Sequence, residues 1–96
     1  MHISKETILD FLKRHKKEFQ EKYAVETIAL FGSYAKNEAN ENSDIDILVK
    51  MPSNFDAYYD FKEYLEASFE KKVDLGLEKS MRAFIANAIK EEIIYV

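Results

Sequence analysis

The chain has 96 residues, 47% of them apolar and 33% charged, with a formal net charge of −4 and no cysteine. That length makes one domain over 1–96, with a single modest core burying roughly 60–70% of the unfolded surface. The composition is that of a soluble globular chain; the missing thiols exclude disulfides and thiolate metal sites, and the acidic balance argues against a nucleic-acid binder, which needs a basic face.

The N-terminus has no continuous apolar segment of the kind a signal peptide carries, and no apolar run approaches the ~20 residues of a membrane span. The expected compartment is the cytoplasm. Ser4 to Lys22 reads as a helix, because Ile8, Phe11, Leu12, His15 and Phe19 recur on one face. Ser4 is placed to cap it, and Glu6 lies in its first turn. Lys13, Arg14, Lys16 and Lys17 fall mostly off the stripe, as a solvated face would. His15, on the apolar edge, is expected to be packed or hydrogen-bonded rather than a ligand.

Val25 to Phe31 is a strand, nearly continuous in apolar residues after Thr27, and so is expected at the centre of the sheet. Gly32 ends it. A short helix is expected from Ser33 to about Glu38, and Asn37 falls where the chain must turn. After the polar loop Asn40-Glu41-Asn42-Ser43, Asp44 to Lys50 is the second strand. Its alternation puts Ile45, Ile47 and Val49 on one face and Asp44, Asp46 and Leu48 on the other.

Pro52 and Ser53 break the chain. A helix follows from about Asn54 to Phe69, with Phe55, Tyr58, Phe61, Tyr64, Leu65 and Phe69 forming its apolar face. Core packing accounts for those aromatics more readily than a base-stacking site does. Lys71 to Leu77 is the third strand, with Asp74 opposite Val73, Leu75 and Leu77. Ser80 to Glu92 reads as a fourth helix, and residues 93–96 as a short strand or extended tail. The fold class is α/β (α+β): a small mixed sheet with flanking helices, in the order α-β-α-β-α-β-α. About a dozen residues join the first two strands, the minimum for a parallel crossover, which favours a mixed sheet over an all-parallel one.

Three aspartates stand out, each set in an apolar strand. The carboxylates of Asp44 and Asp46 share a side, with Cα atoms about 6.5–7 Å apart. Asp74 joins them if the second and third strands are neighbours. Charges beside apolar surface must be paired or bound to a metal. Three oxygen ligands without His or Cys suit Mg²⁺ or Mn²⁺ rather than zinc, and magnesium completes its shell with water and phosphate oxygens. Such a site serves phosphoryl or nucleotidyl transfer, with two cations clamping the attacking and leaving oxygens. Asp74 is then a ligand of the second metal and a candidate proton acceptor. Gly32 allows a close backbone approach to the phosphates, and Ser33 offers an N–H and a hydroxyl.

Gly32-Ser33-Tyr34-Ala35-Lys36, Ser43-Asp44-Ile45-Asp46-Ile47-Leu48-Val49 and Val73-Asp74-Leu75 resemble the GSxAxG…SDxDxxV…D signature of the DNA polymerase β-like nucleotidyltransferase superfamily, and the short length resembles its minimal nucleotidyltransferase group. The resemblance covers nearly the whole chain. It implies that Gly32 and Ser33 hold the triphosphate, that Asp44 and Asp46 bind both of two Mg²⁺ ions, and that Asp74 is the third carboxylate. Lys36 and Ser43 complete the nucleotide-binding candidates; for Tyr34 and Lys36 a contact to the nucleotide or to a partner both stay open. The group commonly transfers AMP from ATP, and its members often act as antitoxins beside a HEPN-domain toxin, some adding AMP to a toxin tyrosine. One departure is Asn37, where the family usually has a second glycine; asparagine tolerates the same conformation at modest strain.

A calcium-hand reading of Asn40, Asn42 and Asp44 fails, because Ile45 stands where glycine is needed and Met51 where a bidentate glutamate is needed. Transfer to a small molecule or an RNA end calls for a further domain or a basic face. The competing reading of another class is a binding module that neutralises a partner by complex formation. The acceptor, the base preference and homo-oligomer formation are left open.

Overall fold

In a computed structural model describing residues 3–82 and 93–96, helix α1 (Lys5–Tyr23) opens on a capping box. The Thr7 N–H donates to Ser4 Oγ at 3.2 Å, and the Ser4 N–H donates to Thr7 Oγ1 at 2.8 Å. Satisfying two otherwise unpaired donors fixes the helix start. Ala24, in the left-handed region at φ 56°, ends it. His15 lies 4.4 Å from the Phe11 ring and bonds Glu18 through Nδ1 at 3.1 Å, a packed residue as expected.

Strand β1 (Thr27–Phe31) leads through the single-turn helix α2 (Gly32–Ala35) and the polar loop into β2 (Ile45–Lys50). Asn37 has φ 58°, the left-handed conformation its position called for. Helix α3 (Phe55–Phe69) starts at Asn54, whose Oδ1 accepts the Ala57 N–H at 3.1 Å, and runs back to β3 (Val73–Leu77). A 3-10 helix (Glu78–Met81) follows, and β4 (Ile94–Tyr95) closes the described chain. The expected fourth helix falls mainly on residues 83–92, outside the described residues.

Among the described residues the sheet order is β3-β2-β1-β4, so β1 is central as expected. It pairs antiparallel with β2 and β4, while β2 and β3 are parallel around α3. The sheet is therefore mixed, the β1–β2 connection being too short for a parallel return. Alternation sorts the side chains. Ile28, Leu30, Ile45, Ile47, Val49, Val73 and Leu75 pack against α1 and α3 in the main core. Ala29, Phe31 and Leu48 face the other way with Met81 and Ile93, and the register puts Asp46 and Asp74 on this second face.

The helices meet the core through rings. Phe61 is fully buried, 4.8 Å from Phe19 edge-on and 5.0 Å from Tyr23. Phe61→Ala is expected to cost about 3–5 kcal/mol, read as a lower urea midpoint at unchanged slope. Phe55 departs from the helical stripe that its spacing suggested. It is 80% exposed, and the buried residues of α3, Phe61, Leu65 and Phe69, begin two turns later.

The outer edge of β3 is closed by α3. Glu66 Oε2 accepts the Val73 N–H at 3.0 Å, and Tyr58 donates its hydroxyl to the Leu75 carbonyl at 2.5 Å. These side chains take up backbone groups that an edge strand otherwise presents to other chains.

Candidate active site

The site forms where β1 ends and β2 and β3 begin. Antiparallel pairing sets Asp46 opposite Phe31, so the next residue, Gly32, falls beside the Asp46 side chain. Gly32 has φ +73°, and a Cβ built there would lie 2.1 Å from Asp46 Oδ2. A side chain is thus excluded by conformation and by space. Parallel pairing then sets Asp74 opposite Asp46, so the two carboxyl groups stand side by side on one face of the sheet.

Burial, the Asp74 charge and the Asp44 charge together push the Asp46 carboxyl up to about 6. Asp46 is half-buried, whereas Asp44 and Asp74 are exposed. Asp44 stands one residue ahead of β2, close enough for its charge to act on Asp46.

The structure thus brings Asp46, Asp74 and Gly32 together, with Asp44 at the rim. Among the described residues, no three His, Cys, Asp or Glu side chains converge tightly enough to make a complete metal cage. The donor set nonetheless fits a hard divalent cation: all its ligands are oxygens, and burial together with the neighbouring acids disfavours the charge on Asp46 when no cation is bound. A magnesium ion takes one or two carboxylates from protein and the remainder from water and phosphate, so a pair of acids is a sufficient protein contribution.

The remaining candidates sit on α2 and in the polar loop. Ser33 follows Gly32 in α2, half-buried, with its carbonyl accepting the Glu38 N–H at 2.9 Å. Lys36 is the C-cap of α2, its N–H returning to the Gly32 carbonyl. Ser43 closes the polar loop: its Oγ accepts the Asn40 N–H and its own N–H donates to the Asn40 carbonyl, both at 3.0 Å. One positioning contact escaped the sequence reading. Lys71 Nζ donates to the Glu41 carbonyl at 2.9 Å, tying the loop before Asp44 to the start of β3. Lys71 lies 30 residues from Glu41, and only the β2–β3 pairing reveals their contact.

Residues 12–96 match the model of a family described as Nucleotidyltransferase domain. The chain is 40% identical over 97 residues to Protein adenylyltransferase MntA of Thermococcus cleftensis, covering 98% of this chain and 97% of that one. It is 45% identical over 94 residues to a Methanocaldococcus jannaschii protein provisionally named a protein adenylyltransferase, covering 93% of this chain and 94% of the relative. A solved structure provisionally described as a minimal nucleotidyltransferase superposes with a TM-score of 0.77 at 24% identity, covering 94% of both chains. A chain of a toxin–antitoxin crystal structure with AMP-PNP superposes at 0.64, also at 24% identity, covering 93% of this chain and 69% of that one. At these identities the two structures speak for the fold; the family match and the close relatives speak for the chemistry. On that ground the chain belongs to the nucleotidyltransferase domain family and is an enzyme of that class.

Proposed function

We propose that this chain transfers AMP from ATP to a hydroxyl of a partner protein, with Asp44, Asp46 and Asp74 as its metal-binding carboxylates. The observation that carries the reading is the Asp46–Asp74 pair set across β2 and β3 against the backbone of Gly32. A half-buried acid set against a second acid destabilises a fold, and a nucleotide-bound cation is what such a pair accommodates. Relatives named protein adenylyltransferase support AMP as the group moved and a protein as acceptor. A fold neighbour described as a toxin–antitoxin supports a toxin as that protein, and the family resemblance implies a HEPN-domain toxin.

Asp44 and Asp46 hold the triphosphate side and Asp74 the acceptor side. Gly32 keeps the floor beside Asp46 free of side-chain bulk, and Ser33 offers its N–H and hydroxyl to phosphate oxygens, with Lys36 and Ser43 as outer contacts. Bound Mg²⁺ supplies the positive charge that neutralises the phosphates and acidifies the acceptor hydroxyl. The acceptor oxygen attacks the α-phosphorus and pyrophosphate leaves. The products are an O-adenylylated protein and pyrophosphate, with the hydroxyl proton passing to Asp74.

The test is transfer of label from α-labelled ATP with Mg²⁺ to the purified product of the adjacent open reading frame. Wild type is expected to label it and Asp46→Asn is not. Mg²⁺-ATP at about 100 times its Kd is expected to stabilise the wild type by about 2.7 kcal/mol, read as a raised Tm. No label and no Tm shift at millimolar ATP would sink the reading; if the partner is still bound, the chain is a binding module.

A further inference from the structure

Away from the carboxylates, the most exposed apolar feature of the described chain is the first turn and a half of α3. Phe55 is 80% and Tyr59 55% exposed, and their rings stack at 6.4 Å and 14°. Tyr58 meets Tyr59 edge-on at 5.2 Å, making three contiguous rings. An isolated exposed aromatic is ordinary, whereas a stacked pair continuous with a groove marks a contact surface.

The groove has a volume of about 440 Å³ and runs beside β3, between the start of α3 and the 3-10 helix. Its walls include Phe55, Tyr58, Leu75, Gly76, Leu77 and Met81. Gly76 shapes it, because Met81 Sδ lies where a Gly76 Cβ would be, 2.0 Å away.

Two observations say what fits here. The first is charge. The exposed residues of α3 are Phe55, Asp56, Tyr59, Asp60, Glu63 and Ala67, giving three acids and no cation; Lys62 is half-buried on the Tyr58 side. The second is continuity. Asp74 and Gly76 share one face of β3, about 7 Å apart along the strand. Tyr58, bonded to the Leu75 carbonyl, lies within electrostatic reach of Asp74. The groove thus begins within two or three residues of the acid proposed to face the acceptor.

We propose that the Phe55–Tyr59 end of α3 and the adjoining β3 groove dock the acceptor protein, through a basic surface that inserts an apolar side chain close to its reacting hydroxyl. This rests on the reading that the acceptor is a separate protein. The rings and groove supply the anchor, and Asp56, Asp60 and Glu63 select a cationic partner and hasten encounter.

The experiment uses the full chain, the purified product of the adjacent open reading frame, and two surface variants, Phe55→Ser/Tyr59→Ser and Asp56→Lys/Asp60→Lys. Both variants are expected to keep the Mg²⁺-ATP-induced Tm shift. Both are expected to weaken binding of that product, by calorimetry, at least about 10-fold, with a matching rise in KM for its labelling. The charge reversal is also expected to flatten or invert the salt dependence of binding. Unchanged Kd and KM overturn the proposal. Loss of the ATP-induced shift in the ring variant overturns it in favour of base stacking. A wild-type dimer that the ring variant dissolves overturns it in favour of a second copy of the chain. If the wild type binds the product without labelling it, and the variants do not bind, docking stands while the transfer reading falls. If the wild type does neither, both fall.

Discussion

Asp46→Asn is expected to make the metal-free protein more stable while removing its transferase activity. At pH 7.5 the wild type must ionise Asp46 beside Asp74 and Asp44, in a half-buried position. The carboxamide carries no charge, and its N–H₂ can donate to Asp74. Asp46 is pushed up to about 6, above the usual carboxyl value near 3.8, so the fold favours the protonated form. The penalty is fully present above about pH 6 and fades as the pH falls towards 4. After allowance for solvent screening, the variant should gain about 1–2 kcal/mol at neutral pH, or roughly 5–10 °C in Tm. That advantage should shrink below pH 6, since the wild type recovers stability there and the variant does not. Transfer should fall by at least about 100-fold, as follows from the proposed role of Asp46 in holding the metal. Melting curves from pH 4.5 to 8 with a labelling assay check both halves. A variant that is less stable at pH 7.5 would show that the acids do not repel.

Gly32→Ala should have the opposite stability sign with the same functional result. The backbone at φ +73° strains any L side chain, and the new Cβ would meet Asp46 Oδ2 at 2.1 Å. The Asp46 carboxylate must swing away or β1 and β2 must part. Either is expected to cost about 1–3 kcal/mol of stability and to lower transfer about 100-fold. A double-mutant cycle with Asp46→Ala isolates the clash, because that change removes the overlapping oxygens and leaves the Asp46 Cβ contact of 3.0 Å. Additive costs would show that Gly32 matters through its φ alone.

These two residues also show what the chain discloses on inspection and what it hides. That Asp44, Asp46 and Leu48 oppose Ile45, Ile47 and Val49 follows from the period of a strand and needs no partner. Ser4, Asn54 and Asn37 announce helix starts and a turn by local hydrogen bonding and tolerance of positive φ. The reason for Gly32 was only half visible. Freedom near phosphate is a local inference, but its contact with Asp46 exists only once β1 and β2 pair antiparallel. Asp74 as the partner of Asp46 likewise depends on the β2–β3 register. Phe55 misled because helical spacing says which side of a helix a residue takes, and not whether anything covers that side at its end.

The sealed margin of β3 bears on turnover. With the Val73 N–H held by Glu66 and the Leu75 carbonyl by Tyr58, a partner arriving on this flank meets side chains and finds two backbone groups already occupied. Strand addition would lock it in through a ladder of hydrogen bonds, broken only by partial unfolding. The proposed docking through rings and screened charges would let go without remodelling either chain, so a modified partner would depart and the enzyme would meet another copy.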